Sequence, residues 1–109
     1  MIKATQLRIG NLYDHSGRVK KVTPIVIEAL FESERFWCKA IPLTEEWLDK
    51  LGYDLISENH YGILGHLIWK IEGRFYCDKN GMQLKYVHQL QNLYFALTNK
   101  ELHYENTTI

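Results

Sequence analysis

The chain has 109 residues, of which 46% are hydrophobic, 24% charged and 13% aromatic. That suffices for one domain with its own core and lies far from the disordered class. Thirteen basic residues balance thirteen acidic ones, which disfavours general nucleic-acid binding or an anionic membrane surface, since both normally demand a basic excess.

Two cysteines, Cys38 and Cys77, are too few for a secreted disulfide framework and lack C-x-x-C spacing. No N-terminal signal and no apolar run of about 18 residues is evident. These features lead us to expect a cytoplasmic protein without a membrane segment.

Residues 7–41 read as β-structure. Leu7, Ile9, Leu12 and Tyr13 precede a turn at Asp14-His15-Ser16-Gly17, whose Asp and Gly suit a tight reversal. Val19 and Val22 flank Lys20-Lys21. Ile25–Phe31 and Phe36–Ile41 are two further runs of β-formers, separated by Glu32–Arg35 as a polar hairpin loop. Strands this short with brief turns resemble, at the level of fold alone, an SH3-like meander.

A helix over 44–51 follows. Thr44 is its N-cap, Glu45 and Glu46 occupy the first turn, Leu43 and Leu48 form a hydrophobic staple, and Gly52 sits at C′. So short a helix must dock through Trp47, Leu48 and Leu51 to persist. After Tyr53–Ile56 comes a polar loop, Ser57–Gly62, then a β-run over Ile63–Ile71, a break at Gly73 and a strand at Arg74–Cys77. Asp78–Gly81 carries a strong hairpin signal, and Met82–Tyr86 returns with period two.

The final helix, about 87–98, is the most distinctive stretch. It contains no Asp, Glu, Lys or Arg. Val87, Leu90, Tyr94 and Leu97 recur at helical spacing, widened by Tyr86 and Leu93, while His88, Gln91, Asn92 and Phe95 line the other side. Asn99 supplies a left-handed cap. Glu101–Glu105 reads as a last edge strand and Asn106–Ile109 as a frayed tail. The expected class is α+β: two short antiparallel β-segments, each followed by a helix.

An uncharged polar helix face implies contact with something. Either His88, Gln91 and Asn92, with Phe95 and Tyr94 beside them, meet a ligand or partner, or they tie down neighbouring backbone. Arg18, Lys20 and Lys21 offer phosphate contacts or form a solvated hairpin. Asp14-His15-Ser16 holds the residue types of a hydrolase triad, but consecutive side chains diverge and such triads are assembled in space. The five histidines show no metal-binding spacing, and neither cysteine has an evident electropositive neighbour. No phosphate-loop motif is present. No catalytic residue, metal or cofactor follows from these residues.

Three stretches are more specific: LRIGN (Leu7–Asn11), IPLTEEWLDKLGY (Ile41–Tyr53) and YVHQLQNLYFALTNKEL (Tyr86–Leu102). Together they resemble the signature blocks of a family of small, functionally uncharacterised bacteriophage and prophage proteins. In that family the last block usually ends Ala-Leu-Thr-Gly-Glu-Glu-Leu, where this chain has Asn99 and Lys100. The resemblance implies a phage gene expressed in bacterial cytoplasm and brings no activity, cofactor or catalytic residue. The expectation is a homo-oligomeric, non-enzymatic binding protein that modulates a host or anti-phage defence factor. The alternatives are a sponge for a small polar ligand such as a signalling nucleotide, and a structural component of the virion.

Overall fold

A computed structural model describes residues 6–32, 38–79, 81–102 and 104. It shows a mixed α+β protein with three helices, a two-stranded hairpin and a five-stranded antiparallel sheet. The elements in order are β1 (Leu12–His15), β2 (Arg18–Lys21), α1 (Pro24–Glu32), α2 (Glu45–Lys50), β3 (Asp54–Ser57), β4 (His60–Ile63), β5 (His66–Ile71), β6 (Arg74–Cys77), β7 (Gln83–Leu84) and α3 (Val87–Thr98).

The β1–β2 hairpin turns at Ser16-Gly17, as the Asp-Gly pattern predicts, and Asp14 Oδ1 accepts the Gly17 N–H at 2.8 Å. The chain then departs from expectation. Residues 25–31 form a helix, not a strand, so the SH3-like meander is not built. Ile25, Val26 and Ile27 carry strand propensity, but Thr23 and Pro24 override it. Pro24 takes the first helical position, where its missing N–H costs nothing, and the Thr23 side chain accepts the Val26 N–H at 3.3 Å. Glu32, expected to open the hairpin loop over 32–35, instead ends α1, while the rest of that loop and the first residues of the 36–41 strand, 33–37, lie outside the described residues. Lys39 makes an isolated antiparallel bridge to Asp14.

Helix α2 forms as its punctuation predicts. The Thr44 hydroxyl accepts the Trp47 N–H at 3.2 Å, Gly52 takes φ +92°, and Leu48 and Leu51 are fully buried. The expected β-run over 63–71 is instead two strands around a turn at Leu64-Gly65, and the expected polar loop over 57–62 contributes most of β4. Leu64 (φ +48°) and Gly65 (φ +83°) reverse the chain just as Ser16-Gly17 and Glu72-Gly73 do, with two consecutive positive φ angles.

The sheet order is β3-β4-β5-β6-β7. One face carries Tyr61, Ile68, Phe75, Cys77 and Leu84, which pack with Leu48 and Leu51 of α2 and Val87, Leu90 and Tyr94 of α3 into the main core. A smaller cluster of Tyr13, Val22 and Cys38 lies under α1. The segments before α2 and α3 are joined directly: Leu43 N–H donates to Lys85 C=O (2.8 Å) and Val87 N–H to Ile41 C=O (2.9 Å). Helix α3 spans the expected residues and ends at Asn99 with φ +59°. Glu101, Leu102 and Tyr104 are not in a strand. The rest of the expected edge strand and the tail at 106–109 lie outside the described residues.

Candidate binding surface

The uncharged side of α3 faces the chain's own N-terminal segment. Gln91 is buried, and its Oε1 accepts the Leu12 N–H at 2.7 Å while its Nε2 donates to Gly10 C=O at 3.4 Å. Asn92 Oδ1 accepts from Asn11 Nδ2 (2.8 Å) and Arg8 Nε (3.2 Å), and its Nδ2 donates to Gln6 C=O (3.3 Å). Phe95 supports the Arg8 guanidinium, 4.2 Å above its ring. These side chains tie down neighbouring backbone, although the segment they hold precedes them by about eighty residues rather than by one strand. The helix-face argument for a second subunit loses its motive, because the face is already covered.

Arg8, the arginine of the LRIGN block, is the organiser of this node. It also pairs with the Glu101 carboxylate and donates to Gln91 C=O at 3.3 Å. Gly10, at φ +97°, lets the backbone turn beneath Glu101. The blocks LRIGN, IPLTEEWLDKLGY and YVHQLQNLYFALTNKEL therefore meet in space, the second and third through the Val87 N–H to Ile41 C=O bond and the Pro42–Tyr86 bridge.

His88 is buried and stacks on Tyr86 (5.8 Å between centroids, 11° between planes), while its Nδ1 has no hydrogen-bond partner among the described residues. Burial holds its pKa below the ordinary histidine value. Tyr94 is buried in the main core with its ring edge-on to His66. The cleft beside it, between α3 and the sheet, encloses a void of about 10 Å³, room for about one water and not for a nucleotide. Arg18, Lys20 and Lys21 are exposed on β2, where strand alternation turns Arg18 and Lys20 to one side and Lys21 to the other. They do not converge. Burial raises the Cys38 thiol pKa, the reverse of what a thiolate nucleophile requires. Among the described residues no three His, Cys, Asp or Glu side chains group as metal ligands.

The surface that sequence reasoning missed is the other face of the sheet. Register sets His60, Trp69, Tyr76 and Gln83 directly opposite one another across β4, β5, β6 and β7, one unbroken row on the face away from the helices. His60 stacks flat on Trp69 at 3.8 Å and 13°. Trp69 Nε1 donates to Asp78 Oδ1, so the indole's one polar atom is satisfied internally. Beside the row, Ile56 and Leu67 close over Gly62, where a Cβ would come within 2.5 Å of the Ile56 side chain. Ile56 is 58%, Ile71 55% and Trp69 39% exposed, with Arg74 exposed next to Ile71. Only a register known from folded strands could have shown this row, because the hairpin at Leu64-Gly65 sets it.

No helix among the described residues is long and apolar enough to cross a membrane. Compared with protein-family models, curated proteins and solved structures, the chain matches none.

Proposed function

We propose that the protein is a non-enzymatic binding protein of phage origin that modulates a bacterial host or defence factor, and that its partner docks on the open face of the five-stranded sheet. The observation that carries this reading is the cross-strand row His60–Trp69–Tyr76–Gln83 flanked by Ile56, Leu67 and Ile71. Aromatic residues set among aliphatic ones, nearly free of charge at the centre and with the indole N–H satisfied internally, are the composition of a protein-binding patch. Antiparallel strands hold them in fixed register, so little conformational entropy is lost on contact. The three blocks that resemble phage proteins support the origin.

A second reading, sequestration of a nucleotide signal, is favoured by the indole and phenol on one row with the Arg74 guanidinium beside them, a stacking surface next to an anion contact. Native mass spectrometry of the protein purified from bacterial cytoplasm, with Trp69→Ser and Tyr76→Ser beside the wild type, separates the two. A bound protein that both substitutions release, at about 2 kcal/mol or more each, supports the first reading. A retained mass of a few hundred daltons, on the order of one nucleotide, lost in the same variants, supports the second. Partners retained equally by wild type and variants overturn the assignment of this face.

A further inference from the structure

The hairpin and the helix that follows it carry opposite charges that no ion pair among the described residues neutralises. Helix α1 exposes Glu28 and Glu32 and has no basic residue. Strand β2 exposes Arg18, Lys20 and Lys21 and has no acidic one. The ion pairs among the described residues join Arg8 to Glu101, Lys50 to Glu46 and Lys70 to Glu45, and none involves either element. Helix α1 is also poorly covered. Val26, Ile27 and Leu30 pack on the small cluster, yet no residue of the helix is fully buried, and Ile25 and Phe31 are 76% and 69% exposed.

We propose that a second copy of this chain docks here, α1 of each subunit lying against β2 of the other about a two-fold axis. Charge complementarity selects that occupant. Arg18 and Lys20 lie on the side of the hairpin that carries Tyr13, on which α1 packs, and only Val22 and Thr23 separate β2 from α1, so an acidic and a basic patch sit side by side on one subunit. A two-fold rotation then lays each against its opposite twice, in a closed, isologous contact. The stems of Arg18 and Lys20, which share one side of the strand, cover Ile25 and Phe31 while their charged ends reach Glu28 and Glu32. A formal net charge of zero adds no overall repulsion between copies. A nine-residue helix is only about 14 Å long, so the contact falls at the small end of the interface range and is weak and salt-sensitive. It shares no residue with the open sheet face and stands apart from the function proposed above.

Sedimentation equilibrium at about 50 mM and about 500 mM salt tests it. The wild type is expected to form dimers at low salt and to dissociate about tenfold more readily at high salt. Glu28→Lys with Glu32→Lys, or Arg18→Glu with Lys20→Glu, each weakens dimerisation about tenfold or more, and the four changes together restore it. All four side chains are exposed, and circular dichroism checks that each variant keeps its fold. If a reversal on α1 unwinds the helix, Glu28→Gln with Glu32→Gln removes the charge more gently and is expected to weaken the dimer as well. A wild type that stays monomeric at low salt overturns the proposal. So does a dimer indifferent to the reversals, or a natively folded quadruple variant that stays monomeric.

Discussion

The side-chain carbonyl of Gln91 accepts the backbone N–H of Leu12 at 2.7 Å, and both residues are buried. One amide thus completes the first strand from the last helix, and the N–H has no water to turn to if the acceptor is removed. Gln91→Leu keeps the volume but orphans that donor, so we expect a loss of about 1–3 kcal/mol in urea unfolding. Asn92→Ala breaks half-buried contacts and costs less, about 1 kcal/mol. If Gln91→Leu unfolds at the wild-type midpoint, the hydrogen bond contributes nothing.

Arg8 makes the same junction from the other side. Its fork reaches Glu101, Gln91 C=O and Asn92 while its plane lies on Phe95. Lysine keeps the charge but neither the fork nor the planar stack. Arg8→Lys is therefore expected to lose nearly as much as Arg8→Ala, about 1–2 kcal/mol in denaturant titration. A lysine variant equal to wild type would reduce the node to simple charge pairing.

His88 sets an acid dependence. Its folded pKa lies below the ordinary value of 6.5 because burial disfavours the charged ring. The unfolded chain then takes up a proton that the folded one refuses, so stability is full above about pH 6.5 and falls as pH drops from there towards the folded value. His88→Phe keeps a ring over Tyr86 and removes the titration. Melting temperature followed from about pH 7.5 to about pH 5 should fall for the wild type and fall less for the variant. Parallel curves would acquit His88.

Leu64 is 82% exposed at φ +48°, a conformation in which its Cβ crowds the following carbonyl. Asparagine suits the first position of such a turn, and Gly65 already suits the second. Leu64→Asn should stabilise the protein by about 1 kcal/mol, a rise of about 4–8 °C in melting temperature for a chain of this size.

What could be read from the sequence was local. The Thr44 cap, the Gly52 terminus and the Asn99 stop each act within one turn of their own helix, and all three stand where they are expected. The strand at 74–77 lies between two turn signals and also emerges as read. Helix α1 is hidden in the sequence because side-chain branching at Ile25, Val26 and Ile27 signals a strand, against the cap at Thr23 and the proline at position 24 that set the helix. The turn at Leu64 was invisible because leucine is not a turn residue. The amides of α3 announced a contact, but a partner eighty residues upstream leaves no trace in spacing. The open face needed the register of four strands, a property of the folded sheet alone.

The bond between Leu12 and Gln91 also has a consequence for how the chain comes off the ribosome. The two residues are 79 apart in sequence, an interval of about 4–16 s at ordinary rates of synthesis. Throughout that interval Gly10, Asn11 and Leu12 have been made while their hydrogen-bond partners on Gln91 and Asn92 have not. The hairpin and α1 must wait with their polar edge unpaired, and the final collapse begins only when α3 emerges. Contacts that bridge so much chain slow folding. A stalled or truncated product that stops before residue 91 is therefore a chain whose first strand has nowhere to dock.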